Sequence, residues 1–257
     1  MTLLNWVGHV AIVSGGASGL GAATAQRLTA DGLKVAIFDL NTDVGRAHAQ
    51  TIGGQYVRVD VSDPASVSAG IDEVVQTLGV PRIMVNCAGI GGAAKTVSRG
   101  QAHDPALFEK VLRVNLMGSF NCASQAAAQM VAADPIDDDG TRGVIVNTAS
   151  VAAFDGQIGQ LAYSASKGGI VGMTLPMARD LADKGIRVCT IAPGLFLTPL
   201  LHELPKEVQD SLGAQVPFPS RLGKPEEYAD MVSQITGNPM LNGEIIRLDG
   251  AIRMAPR

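Results

Sequence analysis

The chain has 257 residues and a net charge of −4, with 46% hydrophobic and 17% charged residues. This balance is typical of a folded globular protein of one or two domains and excludes a disordered chain. It also disfavours nucleic acid as the main ligand, because no basic surplus exists to neutralise phosphates.

Short apolar runs alternate along the chain with longer helical patterns. Seven runs predict strands that are buried on both faces, at residues 10–14, 34–39, 55–59, 82–86, 144–148, 187–192 and 244–248. Six stretches predict helices, at residues 19–31, 44–52, 64–78, 105–133, 157–183 and 225–235. The alternation predicts right-handed βαβ crossovers. Since no linker or repeat interrupts it, we expect a single α/β domain over residues 1–257, a Rossmann-type doubly wound parallel seven-stranded sheet with helices on both faces.

The first predicted strand runs directly into a glycine-rich turn. Gly15, Gly19 and Gly21 stand in a GxxxGxG spacing, and a helical stretch follows. Glycines here permit a tight turn and let the backbone approach a pyrophosphate, which would lie at the helix N-terminus. A turn that only packs the helix against the strand is the alternative, but the strand–turn–helix context favours a dinucleotide site.

Asp39 ends the second predicted strand, about 20 residues after the glycine turn. A carboxylate at this distance can bind the adenosine 2′-hydroxyl and repels a 2′-phosphate. No arginine adjoins it, so the pattern predicts NAD(H) rather than NADP(H). Helix capping is the alternative role, but Thr42 and Asp43 can already cap the next helix. Asp60 and Val61 follow the third strand and are expected to flank the adenine.

Three polar residues predict acid–base chemistry. Tyr163 and Lys167 are four residues apart on a predicted helix and share a face. Ser150 follows the fifth strand at its carboxyl end, where ligands bind in such sheets. A phenol is a poor base at its ordinary pKa of about 10, but an ammonium and a cationic nicotinamide both favour phenolate. Each residue alone has a structural explanation, whereas the joint pattern favours a general acid–base site.

These motifs together resemble the short-chain dehydrogenase/reductase family. The resemblance is carried, in the family's order, by residues 15–21, Asp60, Asn86-Cys-Ala-Gly89, Asn115, Ser150, Tyr163-Ser-Ala-Ser-Lys167 and Pro193-Gly194. Two residues depart from the usual pattern, since Ser14 stands for threonine and Cys87 for a second asparagine.

The resemblance implies a role for each matching residue. Tyr163 would take the substrate's hydroxyl proton, Ser150 would orient the same oxygen, and Lys167 would lower the tyrosine pKa and hold the nicotinamide ribose. Asn115 would bend its helix and anchor a water that links Lys167 to solvent. The implied NAD contacts are Gly15, Ser18, Gly19, Leu20, Gly21, Asp39, Asp60, Val61, Cys87, Ala88, Gly89, Tyr163, Lys167, Pro193, Gly194 and Phe196.

Four stretches, residues 150–160, 191–201, 216–223 and 241–253, resemble the branch of the family that oxidises 3-hydroxyacyl-CoA. That branch implies NAD-linked oxidation of (S)-3-hydroxyacyl-CoA to 3-ketoacyl-CoA in fatty acid metabolism, tolerance for steroid substrates, and Gln157 facing the thioester. The predicted substrate loop, residues 195–219, is rich in Leu, Pro and Phe and suits an acyl or steroid body. A hydroxysteroid or other secondary-alcohol dehydrogenase is the alternative, and a non-catalytic NAD-binding scaffold is a third.

The remaining expectations concern assembly, metals and location. The helical stretches 105–133 and 157–183 are apolar over more than one face, which together with the resemblance predicts a homotetramer. The three cysteines lie far apart and the histidines lack ligand spacing, so we expect no disulfide framework and no metal. Because the start lacks a signal or basic targeting pattern, we expect a cytoplasmic, bacterial protein that does not enter membranes.

Overall fold

Seven strands form one parallel sheet in the computed structural model, which describes residues 5–202 and 205–256. The strands are β1 (Val10–Ser14), β2 (Lys34–Asp39), β3 (Gln55–Arg58), β4 (Pro81–Asn86), β5 (Gly143–Thr148), β6 (Ile186–Pro193) and β7 (Ile245–Leu248). Their order is β3-β2-β1-β4-β5-β6-β7, and every neighbouring pair is parallel. The predicted doubly wound sheet is confirmed. The first four residues of the chain and residues 203–204 of the predicted substrate loop lie outside the described ranges.

Helices cover both faces of this sheet. They are α1 (Gly19–Ala30), α2 (Thr42–Ile52), α3 (Pro64–Thr77), α4 (Pro105–Leu112), α5 (Gly118–Ala132), α6 (Leu161–Asp180), α7 (Pro199–His202), α8 (Lys206–Gly213) and α9 (Pro225–Gly237). The short helices α7 and α8 lie within the predicted substrate loop. A two-stranded hairpin, Val97–Ser98 with Gln101–Ala102, is an element that the sequence pattern did not predict.

Side chains of successive β1 residues pack alternately into two separate hydrophobic cores. Val10 and Ile12 pack with α3 and α5 on one face of the sheet, and Ala11 and Val13 pack with α1 and α9 on the other. This is the alternation of side chains along a strand. The prediction that all seven strands are buried on both faces is wrong for the edge strands. Only Val57 of β3 is buried and all of β7 is half-buried, because each edge has a strand neighbour on one side only.

Two predicted helices differ from the observed ones. The stretch 105–133 is interrupted by a π-helical turn at Arg113–Met117, so α4 and α5 are separate. The interruption lies at Asn115, where the resemblance implied a bend. The other helix begins at Leu161 rather than at Gln157, because Gln160 Oε1 accepts the backbone N–H of Gln157 at 3.0 Å and stabilises a turn instead.

Candidate active site

The predicted site residues converge on the carboxyl edge of the sheet. β1 pairs with β2 on one side and with β4 on the other, so the winding of the chain reverses between β1 and β4. Ligands of such sheets bind in the crevice at this switch point. The glycine turn, Asp39, residues 87–89, Ser150 and the pair Pro193-Gly194 follow or end the strands β1, β2, β4, β5 and β6.

The glycine turn packs too closely for side chains. Gly15 and Gly19 have φ angles of +65° and +53°. A Cβ on Gly15 would lie 2.7 Å from the backbone of Ala88, and a Cβ on Gly21 would collide with the carbonyl of Gly15. The turns after β1 and β4 therefore touch, and only glycine permits this contact.

Helix α1 begins within this turn and offers its first backbone amides at the edge. Ser18 is the N-cap residue, yet its exposed side chain makes no capping hydrogen bond. Leu20 is half-buried in the first turn. Uncapped N–H groups and the helix dipole favour an anion at this end. The described geometry therefore fits a pyrophosphate.

The carboxylate of Asp39 is fixed beside the glycine turn. Its Oδ2 accepts the backbone N–H of Ala17 at 3.1 Å, and its Oδ1 accepts that of Asn41 at 2.9 Å. The prediction that Thr42 or Asp43 caps the next helix is wrong, because Asn41 is the N-cap residue and accepts from the N–H of Val44. Asp39 is nevertheless not needed as a cap, and its ribose contact stays a prediction.

Asp60 and Val61 follow β3 at the same edge. The Oδ1 of Asp60 accepts from the backbone N–H and the hydroxyl of Ser62 at 2.9 and 2.7 Å. Val61 is buried, and its carbonyl accepts from Asn121 Nδ2 at 2.9 Å. These hydrogen bonds stabilise the conformation of the turn that follows β3. The contact of this turn with adenine stays a prediction.

A buried amide network holds the turn that follows β4. Asn86 Nδ2 donates to Asn147 Oδ1 at 2.8 Å and to the carbonyl of Ser119 at 3.2 Å. The hydroxyl of Ser14 donates to Asn86 Oδ1 at 3.4 Å. This network links β1, β4 and β5 directly before residues 87–89, so the implied cofactor turn rests on a rigid base.

Cys87 belongs to a ring of three side chains under the edge. The hydroxyls of Thr148 and Tyr228 lie 2.7 Å apart, and each lies 3.7 Å from Cys87 Sγ. Burial raises the pKa of the Cys87 thiol and of the Tyr228 phenol, so both stay protonated near neutral pH. Cys87 thus packs and hydrogen bonds rather than acting as a nucleophile. Sequence reasoning missed Thr148, two residues before Ser150, and Tyr228, which carries no motif.

Ser150, Tyr163 and Lys167 come together beyond the end of β5. Ser150 precedes the 3₁₀ turn Val151–Ala153, and its Oγ accepts the N–H of Ala152 at 3.1 Å, which orients the side chain. Tyr163 lies in the first turn of α6, and its phenol interacts with the Ser150 side chain. Lys167 lies one turn later, with Nζ 5.7 Å from the Tyr163 ring centroid.

Burial shifts both ionisable groups of this set. It raises the pKa of the Tyr163 phenol, and the hydrogen bond to Ser150 acts in the opposite direction. It lowers the pKa of Lys167 to about 8, with Coulomb attraction to Cys87 acting in the opposite direction. Lys167 Nζ donates to the carbonyl of Thr148 at 2.7 Å. That Lys167 lowers the tyrosine pKa stays a prediction for the protein with its cofactor.

Asn115 ties the turn after β4 to helix α6. It is fully buried in the π-helical turn, where Oδ1 accepts the N–H of Ile90 at 2.8 Å. Its Nδ2 donates to the carbonyl of Ile90 and to Ser166 Oγ, both at 3.0 Å. Ser166 adjoins Lys167, so Asn115 acts as a positioning residue. The water that it is expected to anchor stays a prediction.

The turn after β6 closes the edge. Pro193 ends β6, and the N–H of Gly194 donates to the carbonyl of Leu248 at 2.9 Å. Phe196 is only 7% exposed, and its ring packs against Gly223. Their contacts with the cofactor stay predictions.

Gln157 lies in the loop between Ser150 and Tyr163. Its Nε2 donates to the carbonyl of Ala255 at 3.0 Å, so the segment after β7 holds its amide. The described contacts of Gln157 do not include Ser150, Tyr163 or Lys167, and its contact with a thioester stays a prediction.

The arrangement as a whole fits a dinucleotide and a secondary alcohol. An anion cradle, a fixed carboxylate and a hydroxyl–phenol–ammonium set share one edge, which can bind a dinucleotide and move a proton at a carbinol oxygen. Within the described ranges, we find no group of three or more His, Cys, Asp or Glu residues that could hold a metal. None of the described helices is long and apolar enough to cross a bilayer.

Comparisons with known proteins agree over nearly the whole chain. The sequence profile of the short chain dehydrogenases matches residues 9–209. The 3-hydroxyacyl-CoA dehydrogenase type-2 of Homo sapiens is 55% identical over 97% of both chains, and that of Bos taurus is 54% identical at the same coverage. A crystal structure of 3-hydroxyacyl-CoA dehydrogenase type-2 from Mycobacterium avium superposes with a TM-score of 0.92 at 44% identity, over 97% of this chain and 98% of that one.

Proposed function

The chain belongs to the short-chain dehydrogenase family and is an oxidoreductase, and from this premise we propose that it oxidises (S)-3-hydroxyacyl-CoA to 3-ketoacyl-CoA with NAD. One observation carries the substrate assignment. Relatives named 3-hydroxyacyl-CoA dehydrogenase type-2 are 54–55% identical over 97% of both chains, which is too long a match to reflect the nucleotide site alone.

The carboxylate of Asp39 supports NAD over NADP. It is fixed at the end of β2 by the N–H groups of Ala17 and Asn41, so it cannot easily turn away. A 2′-phosphate beside it would bring like charges together, at a cost of about 1–4 kcal/mol for effective dielectric constants of about 20–80. NAD carries only a hydroxyl there, which the carboxylate can accept.

Proton removal is assigned to Tyr163. A bound nicotinamide would supply the acceptor for the hydride of the carbinol carbon. The Tyr163 phenolate takes the hydroxyl proton, and the phenol returns it in the reverse reaction. Ser150 donates to the same substrate oxygen, since its Oγ already accepts from the N–H of Ala152 and is thereby oriented.

Lys167 supports this transfer in two ways. Its ammonium, 5.7 Å from the Tyr163 ring centroid, favours the phenolate by charge. Its attachment to the carbonyl of Thr148 holds it at the edge, where it can also bind a ribose hydroxyl. Asn115 keeps the neighbouring Ser166 in place, and with it the start of this helix.

The substrate loop supports an apolar substrate body. The described part of residues 195–219 includes the half-buried side chains of Leu195 and Leu197 and the exposed side chains of Val208 and Phe218. Such a loop suits an acyl chain better than a sugar, because it offers accessible apolar area rather than hydrogen-bond partners.

Exposed apolar side chains support a homotetramer. On the outer face of α5 and the turn before it, Phe120 is 45% and Met117 47% exposed, and on α6 Leu161 is 44% and Leu175 43% exposed. These two helices are the ones whose sequence predicted cover on more than one side. Contact between copies would remove this area from water, together with the half-buried edge at β7.

A substrate panel tests the proposed reaction. The purified enzyme and NAD are given (S)-3-hydroxyacyl-CoA thioesters of short, medium and long chain, the matching (R)-thioesters, a 17β-hydroxysteroid and isopropanol. We expect the highest kcat/KM with an (S)-thioester, and at least about tenfold less with its (R)-enantiomer, since a misplaced hydride donor loses the aligned geometry. A higher kcat/KM with the steroid or with isopropanol would contradict the substrate assignment.

A further inference from the structure

The segment that follows β7, residues 249–256, leaves the sheet beside the active site. Leu248 of β7 pairs with Pro193 at the carboxyl end of β6. The next residue, Asp249, packs closely against Gly194. A Cβ added to Gly194 would lie 2.9 Å from the Cα of Asp249. We call residues 249–256 the strap.

On one side the strap binds the loop that joins Ser150 to Tyr163. The backbone N–H of Ile158 donates to the carbonyl of Pro256 at 3.1 Å. One residue earlier, the amide of Gln157 donates to the carbonyl of Ala255 at 3.0 Å. Two successive residues of the loop are therefore hydrogen-bonded to two successive residues of the strap.

Arg247, near the end of β7, joins the same loop to the strap. The Arg247 guanidinium binds Asp155 Oδ2 and Asp249 Oδ2, each at 2.7 Å, and donates to the carbonyl of Ile252 at 3.0 Å. The side chains of Arg247 and Asp155 are 21% and 19% exposed, and the guanidinium lies over the Phe154 ring at 5.3 Å. Bonds of this charged, partly buried kind are stronger than exposed ion pairs.

On its other side the strap binds the substrate loop. The N–H of Phe218 donates to the carbonyl of Gly250 at 3.2 Å. A Cβ on Gly250 would collide with Val216 and approach the carbonyl of Phe218 to 2.9 Å. The strap thus links two loops that are otherwise about 60 residues apart along the chain.

The loop that the strap holds also lines a groove. Ile158 and Gly159 line a cavity of about 460 Å³ together with Ala94, Lys95 and residues of the hairpin. The N–H of Ala94 donates to the carbonyl of Gly159 at 2.8 Å, so this groove borders the loop between Ser150 and Tyr163, which we call the catalytic loop. Because Ile158 is part of the lining, a movement of the catalytic loop would change the shape of the groove.

We propose that the strap determines substrate specificity, by fixing the catalytic loop against the substrate loop so that the groove accepts the part of a long substrate beyond the carbinol. Asp155 is its positioning residue and touches neither the reacting atoms nor Ser150, Tyr163 or Lys167 in the described contacts. That the long substrate is an acyl-CoA rests on the proposed function, whereas the contacts of the strap are independent of it.

The test compares Asp155→Ala with Asp155→Glu, which keeps a carboxylate for Arg247. Asp183→Ala is the matched control, because it removes a carboxylate from an exposed ion pair with Lys184 at the far side of α6. The substrates are (S)-3-hydroxyhexadecanoyl-CoA and the small (S)-3-hydroxybutyryl thioester of N-acetylcysteamine. Amide hydrogen exchange at Ile158 and Phe218 reports on the strap without any substrate.

For Asp155→Ala we expect faster exchange at Ile158 and a KM for the long substrate raised about five- to tenfold, the scale of the net loss of one ordinary hydrogen bond. The KM and kcat for the small thioester should stay within about twofold, and Asp155→Glu should restore most of the KM. Unchanged exchange and KM in folded Asp155→Ala would overturn the proposal, as would equal losses with both substrates. If wild type oxidises no thioester, the proposed function fails, whereas the exchange measurement still decides whether the strap holds the loop.

Discussion

Replacing Lys167 by methionine should change how the stability of the protein depends on pH. Methionine keeps much of the length and apolar volume of the side chain but carries no charge. Lys167 is 4% exposed, and burial lowers its pKa from 10.5 to about 8. At 1.36 kcal/mol per pKa unit, the buried ammonium costs the folded state about 3 kcal/mol at neutral pH.

The direction of the effect follows from proton counts. Between about pH 8 and 10.5, the folded protein has released the Lys167 proton while the unfolded chain still holds it. The unfolded state then binds more protons, so the free energy of unfolding rises with pH through this window. Wild type should gain about 2 kcal/mol relative to Lys167→Met between pH 7 and pH 10.

Urea unfolding at pH 7, 8, 9 and 10 measures this difference, at one fixed protein concentration for both proteins. Subtraction removes Tyr228 and Cys122, which titrate in both proteins, and leaves Lys167 with its neighbours Cys87 and Tyr163. Lys184→Met, at an exposed lysine, should run parallel to wild type. A constant difference between wild type and Lys167→Met across this range would refute the burial of the ammonium.

Two further predictions concern the cofactor and the assembly. Asp39→Ala should raise the ratio of kcat/KM with NADP to kcat/KM with NAD by at least about fivefold, because the carboxylate that would repel a 2′-phosphate is gone. If steady-state rates give an unchanged ratio, Asp39 does not lie beside the 2′ position. Light scattering should give the mass of a tetramer for wild type at micromolar concentration. Phe120→Asp, on the exposed face of α5, should reduce the measured mass while the circular dichroism spectrum stays unchanged. A monomeric mass for wild type would refute the proposed tetramer.

The sheet could be predicted from sequence because each strand is a local signal. Runs such as Val144–Thr148 are rich in β-branched residues, and parallel strands buried on both faces have this pattern. The glycine turn and the Tyr163–Lys167 spacing are local patterns too, although the turn then packs against Ala88 from a distant part of the chain. The start of α6 was predicted four residues too early, because a hydrogen bond between Gln157 and Gln160 forms a turn that hydrophobic periodicity does not report.

The missed features are contacts between distant parts of the chain. Asn115 binds Ile90 and Ser166, which lie 25 and 51 residues away, and no periodicity encodes either partner. Tyr228 reaches Thr148 over 80 residues, and Gln157 reaches Ala255 over 98. Such pairs depend on how the helices and loops pack on the finished sheet, so sequence could suggest Asn115 only through its family resemblance.

The central claim is that Tyr163 moves the proton, and Tyr163→Phe tests it most directly. The substitution keeps the ring and its packing but removes the hydroxyl that takes up and returns the proton. NADH binding, followed by fluorescence titration, should stay close to wild type, because the glycine turn and Asp39 are untouched. The kcat for oxidation of an (S)-3-hydroxyacyl-CoA should fall by at least about 10²-fold, the low end for loss of a general acid–base. A near-normal kcat in Tyr163→Phe would contradict the assignment of Tyr163 as the base.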